Sequence, residues 1–190
     1  MAEVKILVPG YFEWLSENKI KASSAVTLIK DSGKNIIVDT GSIVVKDKII
    51  EALGKENLIK EDIDILVATH SHSDHRGNDY LFSNALVYVF SNTIKGDIYD
   101  FFPTVKSMQI ASRTKIVQAT GHTYEDISVI TESEKGAIGV VGDLFKNEYD
   151  DVDFCVDEVK LFESQTKIKA LSDFIIPGHG PMFKVKKWNL

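Results

Sequence analysis

The chain has 190 residues, enough for one domain (1–190), and its 44% hydrophobic content is ordinary for a packed core of that size. A net charge of -6 and a pI near 5.4 give no overall electrostatic footprint for nucleic acid, since the only tight basic cluster is Lys184, Lys186 and Lys187. Cys155 is the only cysteine, so no intramolecular disulfide can form; the N-terminal apolar stretch is too short for a signal peptide and no run reaches membrane-spanning length, so a cytoplasmic protein without a membrane partner is expected.

Runs of β-branched and aliphatic residues predict strands over 4–8, 25–30, 35–39 and 63–69, with Ser32-Gly33-Lys34 turning the second into the third as a hairpin. Tyr11, Phe12 and Trp14 follow Pro9-Gly10 in an early loop; they are candidates to line a pocket, with packing the plainer reading. Helical periodicity covers 44–53. Residues 70–75 then read His-Ser-His-Ser-Asp-His, directly after the apolar run 63–68. A short helix is expected over 78–82, strands over 85–90, 109–111, 115–118, 127–131 and 137–141, and a helix over 158–171 with Asp157 as its N-cap. The acidic stretch 148–153 reads as a solvated loop, and a last apolar run covers 174–176. Strands in antiparallel-looking groups separated by helices suit two sheets packed face to face with helices outside, an α+β arrangement, rather than a regular βαβ alternation.

No packing requirement calls for three histidines in a turn, whereas imidazole and carboxylate are what a zinc or iron ion binds. The other two histidines also stand just past apolar runs: His122 after 115–119 and His179 after 174–176. Asp143 follows 139–141 with Gly142 between. Loops leaving one edge of a sheet converge on one crevice, so if the four runs share an edge all five histidines meet. His70 and His72 are two apart at a strand end, where extended backbone points both side chains the same way. With His122 they can make a three-nitrogen face for one metal; Asp74 and His75 with His179 can hold a second, and Asp143 can bridge the two. Such a set leaves coordination positions open, the mark of a catalytic site, and favours anionic substrates and transition states.

This pattern resembles the metallo-β-lactamase-fold hydrolases, whose H-x-H-x-D-H motif followed by a distant His, a bridging Asp and a last His is matched at His70, His72, Asp74, His75, His122, Asp143 and His179. Val38-Asp39-Thr40-Gly41 is similar to the family's turn beneath the metal ligands, which makes Asp39 a candidate to fix a metal-bound imidazole, beside its plainer reading as a turn former. The resemblance implies a four-layer αβ/βα sandwich of two mainly antiparallel sheets with helices outside, and two divalent ions, zinc foremost, with iron or manganese as alternatives. More particularly, 69–78, 121–129, 142–145 and 177–183 resemble the subgroup of metallo-β-lactamase domain-containing protein 1 and its small prokaryotic relatives. Thr120, Tyr124 and Glu125 depart from the usual Thr-Pro-Gly-His-Thr-Pro-Gly, which weakens a transfer of glyoxalase II or lactonase activity.

The implied chemistry is hydrolysis of an ester, thioester, lactone or phosphodiester by a hydroxide held between two ions about 3.5–4 Å apart. Asp74 is the candidate to orient that nucleophile or pass a proton to the leaving group, with pure ligation as the alternative. Tyr124, behind a ligand loop, and Tyr11 are candidate substrate contacts, and Arg76 is expected to meet a neighbouring carboxylate. Neither a C-terminal helical region after Trp188 nor a cap-domain insertion is evident, so an open site, or one closed by a second copy in a homodimer, is expected. A mononuclear-iron persulfide dioxygenase, an RNA-processing nuclease of the same superfamily and a metal-binding protein without turnover are the competing readings; a small anionic substrate is favoured over nucleic acid by the chain's charge.

Overall fold

The computed structural model describes residues 1–102, 106–149, 152 and 154–186. Of the residues singled out above, Lys187, Trp188 and the acidic Asp150, Asp151 and Asp153 lie outside the described residues. In chain order come β1 (Glu3–Val8), a hairpin of β2 (Tyr11–Ser16) and β3 (Lys19–Ser23), β4 (Val26–Asp31) and β5 (Lys34–Val38). Helix α1 (Lys46–Lys55), β6 (Ile65–Ala68), the single turn α2 (Ser73–Arg76), β7 (Leu86–Val89) and a second hairpin of β8 (Asn92–Lys95) and β9 (Ile98–Phe101) follow. The second half comprises β10 (Ser107–Gln109), β11 (Thr114–Gln118), β12 (Ile127–Ser133), β13 (Gly136–Val140), α3 (Glu158–Leu171), β14 (Phe174–Ile176) and β15 (Phe183–Lys184).

The first sheet runs β1-β4-β5-β6-β7-β8-β9 and the second β10-β11-β12-β13-β14-β15. Both are mainly antiparallel; β6 is parallel to β5 and β7, and β13 is parallel to β14. Alternation along the strands sorts the side chains into layers. Ile29, Ile36, Val38 and Val67 of the first sheet meet Val129, Ile138, Val140 and Ile176 of the second, all essentially inaccessible to water. On the other face of the first sheet, Leu28, Ile37 and Leu66 pack under Ile49 and Leu53, four residues apart on α1. Leu161 and Ile168 of α3 cover Val117, Ile130 and Ile175 of the second sheet. The result is the expected four-layer αβ/βα sandwich, driven by burial of about 1.5–3 kcal/mol per large aliphatic side chain.

The two sheets are also tied by a buried polar contact. Asp31, at the end of β4, accepts hydrogen bonds from the Arg113 amide at 2.7 Å and the Thr114 hydroxyl at 2.8 Å beside β11. Asp157 caps α3 by accepting from the Lys160 amide at 3.0 Å, as its position predicts.

Several boundaries differ from expectation. The helix expected over 44–53 opens as a 3-10 turn, Ile43–Val45, in which Ile43 and Val44 face solvent and Val45 starts the buried stripe continued by Ile49 and Leu53. The strand expected over 109–111 ends at Gln109, since the Ile110 and Ala111 amides both turn back to the Thr114 carbonyl. Asp79–Phe82 is a 3-10 turn, and Asp74 and His75 lie in α2 rather than in an open turn. Both hairpins, β2-β3 and β8-β9, are unforeseen; their residues are largely exposed and lack the apolar runs used to find strands.

Candidate metal centre

His70 and His72 leave the end of β6 in the first sheet, and α2 carries Asp74 and His75. His122, Asp143 and His179 follow β11, β13 and β14 in the second sheet. The four ligand-bearing strands therefore do not share one sheet edge. Their loops meet because both sheets direct these strand ends to the same end of the sandwich, where the Ile127 amide bonds the Thr69 carbonyl at 2.9 Å.

All seven side chains converge in two groups, one of His70, His72, His122 and Asp143, the other of Asp74, His75 and His179, each with ligand atoms within 4.8 Å of one another. In the first, His72 Nδ1 lies 3.0 Å from His70 Nε2 and 3.2 Å from His122 Nε2. In the second, His179 Nε2 lies 3.3 Å from Asp74 Oδ2. Asp143 stands between: its Oδ1 is 3.2 Å from His75 Nε2, and its Oδ2 is 3.3 Å from His179 Nε2 and 3.6 Å from His122 Nε2.

Behind this face, four of the five rings are held by their outer nitrogen. His75 Nδ1 contacts Asp39 Oδ2 at 2.7 Å, His122 Nδ1 the Phe154 carbonyl at 2.7 Å, and His179 Nδ1 the Tyr11 and Ser23 carbonyls at 3.1 Å. His70 Nδ1 meets the Thr69 hydroxyl at 3.1 Å, and that hydroxyl donates to Asp39 Oδ2 at 2.8 Å. A ring nitrogen that donates outward leaves the other with its lone pair directed inward, as metal ligation requires. Asp39 sits in the left-handed region (φ 56°) at the turn, and its carboxylate joins His75 to Thr69. Thr69 and the three backbone carbonyls were not assigned a role from sequence. Thr69 stands beside the motif and was within reach of such an argument; backbone carbonyls leave no residue-type signal.

Charge follows the same layout. Burial, helped by His75, pushes His70 far down towards the neutral form, and burial lowers His72 as well. Burial would also lower His75 and His179, but the Asp143 and Asp39 carboxylates carry His75 well above its usual range, while Asp143 and Asp74 bring His179 to about 9. Burial opposes ionisation of Asp143, yet His75 and His179 keep it well below the usual carboxylate range. Two buried atoms, His75 Nε2 and Asp143 Oδ1, have no hydrogen-bond partner among the described residues although both point into the centre. Unsatisfied buried polar atoms are costly, and a nitrogen and a carboxylate oxygen facing one point are a donor set that fits a divalent ion.

Gly178 makes the close approach of the two sheets' loops feasible. A Cβ there would fall 2.3 Å from Asp143 Oδ1 and 2.9 Å from a His75 ring carbon. Over the centre opens a small cleft whose walls include Phe12, Phe154, Phe145 and Lys146. Phe12 packs edge-on against His179 and Trp14, with centroids 5.8 Å apart in each case, and Trp14 reaches Phe154 at 6.2 Å, so the β2-β3 hairpin forms one wall. Neither Tyr11 nor Tyr124 lines this cleft: Tyr11 supplies its carbonyl to His179 while its ring packs with the first sheet's outer core, and Tyr124 is 66% exposed. Arg76 meets Asp79 at 2.8 Å, and Cys155 packs beside α3.

Comparison with known proteins shows the family and the fold. The family model of the metallo-beta-lactamase superfamily matches residues 21–181. Metallo-beta-lactamase domain-containing protein 1 of Xenopus laevis is 32% identical over 97% of this chain and 82% of its own length. The "Probable metallo-hydrolase" of Methanocaldococcus jannaschii is 35% identical over 96% of this chain and 90% of its own. A solved structure from Thermotoga maritima, described as of metallo-beta-lactamase type, superposes with a TM-score of 0.78 at 22% identity, covering 96% of this chain and 99% of that one, a likeness of fold.

Proposed function

The chain belongs to the metallo-beta-lactamase superfamily, and from that premise we propose that it is a hydrolase whose two ligand groups each hold one divalent ion. The observation that carries the reading is the pair His75 Nε2 and Asp143 Oδ1, buried, unsatisfied and aimed at one point between the groups. His70, His72 and His122 would hold the first ion, Asp74, His75 and His179 the second, with Asp143 between them. A nitrogen-rich set with two carboxylates suits zinc best, with iron or manganese as alternatives. Such ions supply a water of lowered pKa and polarise the scissile bond.

The chain's own residues would do the rest. Asp74, whose side chain keeps about a quarter of its surface open (26%), is the group placed to orient the attacking water or to pass its proton to the leaving group. Phe12 and Phe154 give the cleft aromatic walls beside His122 and His179. Tyr124, exposed behind His122, is offered to whatever part of a larger substrate extends beyond the cleft. The substrate class is an ester, thioester, lactone or phosphodiester, and a lone half-buried cysteine fits a reducing, cytoplasmic setting. No helix among the described residues is long and apolar enough to cross a membrane.

The test is a panel of thioesters, lactones, carboxylic esters and bis(p-nitrophenyl) phosphate assayed on the metal-loaded protein and on an Asp143→Ala variant. Turnover of one class by the wild type and its loss in the variant supports the reading. No turnover of any class with both ions bound contradicts it, and one iron per chain with oxygen uptake on a thiol persulfide would replace it.

A further inference from the structure

Two segments meet over the metal centre, and each hangs from one of its ligand groups. The β2-β3 hairpin forms a two-stranded sheet of its own and joins neither main ladder. Its base is fastened instead to the group of Asp74, His75 and His179. The Tyr11 and Ser23 carbonyls, whose residues pair across the hairpin, each lie 3.1 Å from His179 Nδ1. Just past the hairpin, the Ser24 amide donates to the Asp74 carbonyl at 2.9 Å and the Ala25 amide to the Gly178 carbonyl at 2.7 Å. The segment around Phe154 is fastened to the other group. The Phe154 carbonyl lies 2.7 Å from His122 Nδ1, and the Val156 and Asp157 amides donate to the Gly121 carbonyl at 3.0 and 3.2 Å.

Side chains two apart on a strand share a face, so Phe12 and Trp14 project together from β2. Phe12 leans edge-on against His179, and Trp14 extends from Phe12 to Phe154. The three rings therefore span from one ligand group to the other. Between Phe12 and Phe154 the cleft offers about 30 Å3, room for a water or two but not for an ester group with both its arms. Trp14 and Phe154 are half-exposed, so their contact lies at the rim and can part without unpacking the core.

We propose that Phe12, Trp14 and Phe154 form a bridge across the mouth of the metal centre, drawn closed when both ligand groups are occupied. Trp14 and Phe154 part to admit a substrate, and so determine how wide a group it can carry beside the scissile bond. A slender, unbranched arm passes between the rings; a branched one is turned away. The proposal rests on the reading that each group holds an ion. A histidine whose Nε2 is taken by an ion keeps its proton on Nδ1, so His179 and His122 then donate to their carbonyls and fix both ends of the bridge.

Trp14 reports on the bridge directly. With Trp188→Phe it is the sole tryptophan, and its quenching by acrylamide is measured without ions and after zinc loading, with zinc counted by elemental analysis on the same samples. Zinc is expected to lower the quenching constant roughly twofold as the indole settles against Phe154. Phe154→Ala keeps the carbonyl that faces His122 and removes the ring, so zinc content is expected to stay while the protection of Trp14 vanishes; Phe154→Tyr should restore it. Calorimetry on the zinc-loaded chain then compares ethanethiol with tert-butyl thiol, since thiolates bind zinc. The slender thiol is expected to bind roughly tenfold more tightly, and Trp14→Ala to bring the two within about twofold of each other. A zinc-loaded chain whose Trp14 is no better shielded, shielding indifferent to Phe154, or equal binding of the two thiols by the wild type would overturn the proposal. A folded chain that takes up no zinc overturns the reading of the ions, and the bridge with it, and the zinc count tells that failure from the others.

Discussion

His75 Nε2 and Asp143 Oδ1 face each other at 3.2 Å, one from a helical turn of the first sheet's connection and the other from a loop of the second, and neither has a hydrogen-bond partner among the described residues. The pair marks where the two halves of the sandwich meet over a common point. Imidazole and carboxylate carried by different sheets can hold this approach only because the ring is braced from behind by Asp39 and the carboxylate is approached by a residue without a side chain, Gly178.

The bracing by Asp39 should be measurable. In Asp39→Asn the His75 ring loses its charged partner and the Thr69 hydroxyl its acceptor of full charge, so metal affinity is expected to fall about 10- to 100-fold. Competition with a chromophoric chelator reads this directly. Unchanged affinity in a folded variant would remove Asp39 from the account.

Gly178→Ala should act on the centre without touching a ligand. The added methyl group would overlap Asp143 Oδ1 and crowd His75, displacing the carboxylate from between the two groups. The expected result is loss of at least one ion per chain with near-native circular dichroism. Full metal content in this variant would show that the loop yields at no cost to the site.

Asp31 gives a prediction about pH that does not involve the metal. Burial would raise its pKa, but hydrogen bonds from the Arg113 amide and the Thr114 and Ser32 hydroxyls outweigh burial and hold it below the ordinary 3.8. A carboxyl depressed on folding contributes stability that is present above pH 3.8 and is lost as pH falls through the lower folded value. Asp31→Ala is expected to cost about 1–3 kcal/mol at neutral pH. Denaturant melts across pH 2.5–6 should show the wild type's advantage over the variant shrinking at the acid end; an advantage independent of pH would contradict the assignment.

The parts of this molecule that were legible in its sequence are those fixed by local chemistry. The apolar runs that became β4, β5, β6 and β11 to β14 stand out because they are buried on one or both faces, and α3 was legible to its ends because Asp157 is a true N-cap. The β2-β3 hairpin was not, since Glu13, Ser16, Glu17, Asn18 and Lys19 dilute any apolar pattern in an arm that lies mostly in solvent, although that arm supplies Phe12 to the cleft. The grouping of the ligands could be read from spacing and motif. That their loops come from two sheets could not, because strand order is set by long-range pairing such as β5 to β6 and β13 to β14. The carbonyls of Phe154, Tyr11 and Ser23 that orient His122 and His179 are supplied by backbone, on which residue type is silent.

Seven side chains from two sheets are proposed to form one centre for two ions. Elemental analysis of the 190-residue chain, dialysed after loading with zinc, tests this most directly. About two ions per chain are predicted, falling to one or fewer in Asp143→Ala. A wild type that retains a single ion, or none, under conditions where it remains folded would contradict it.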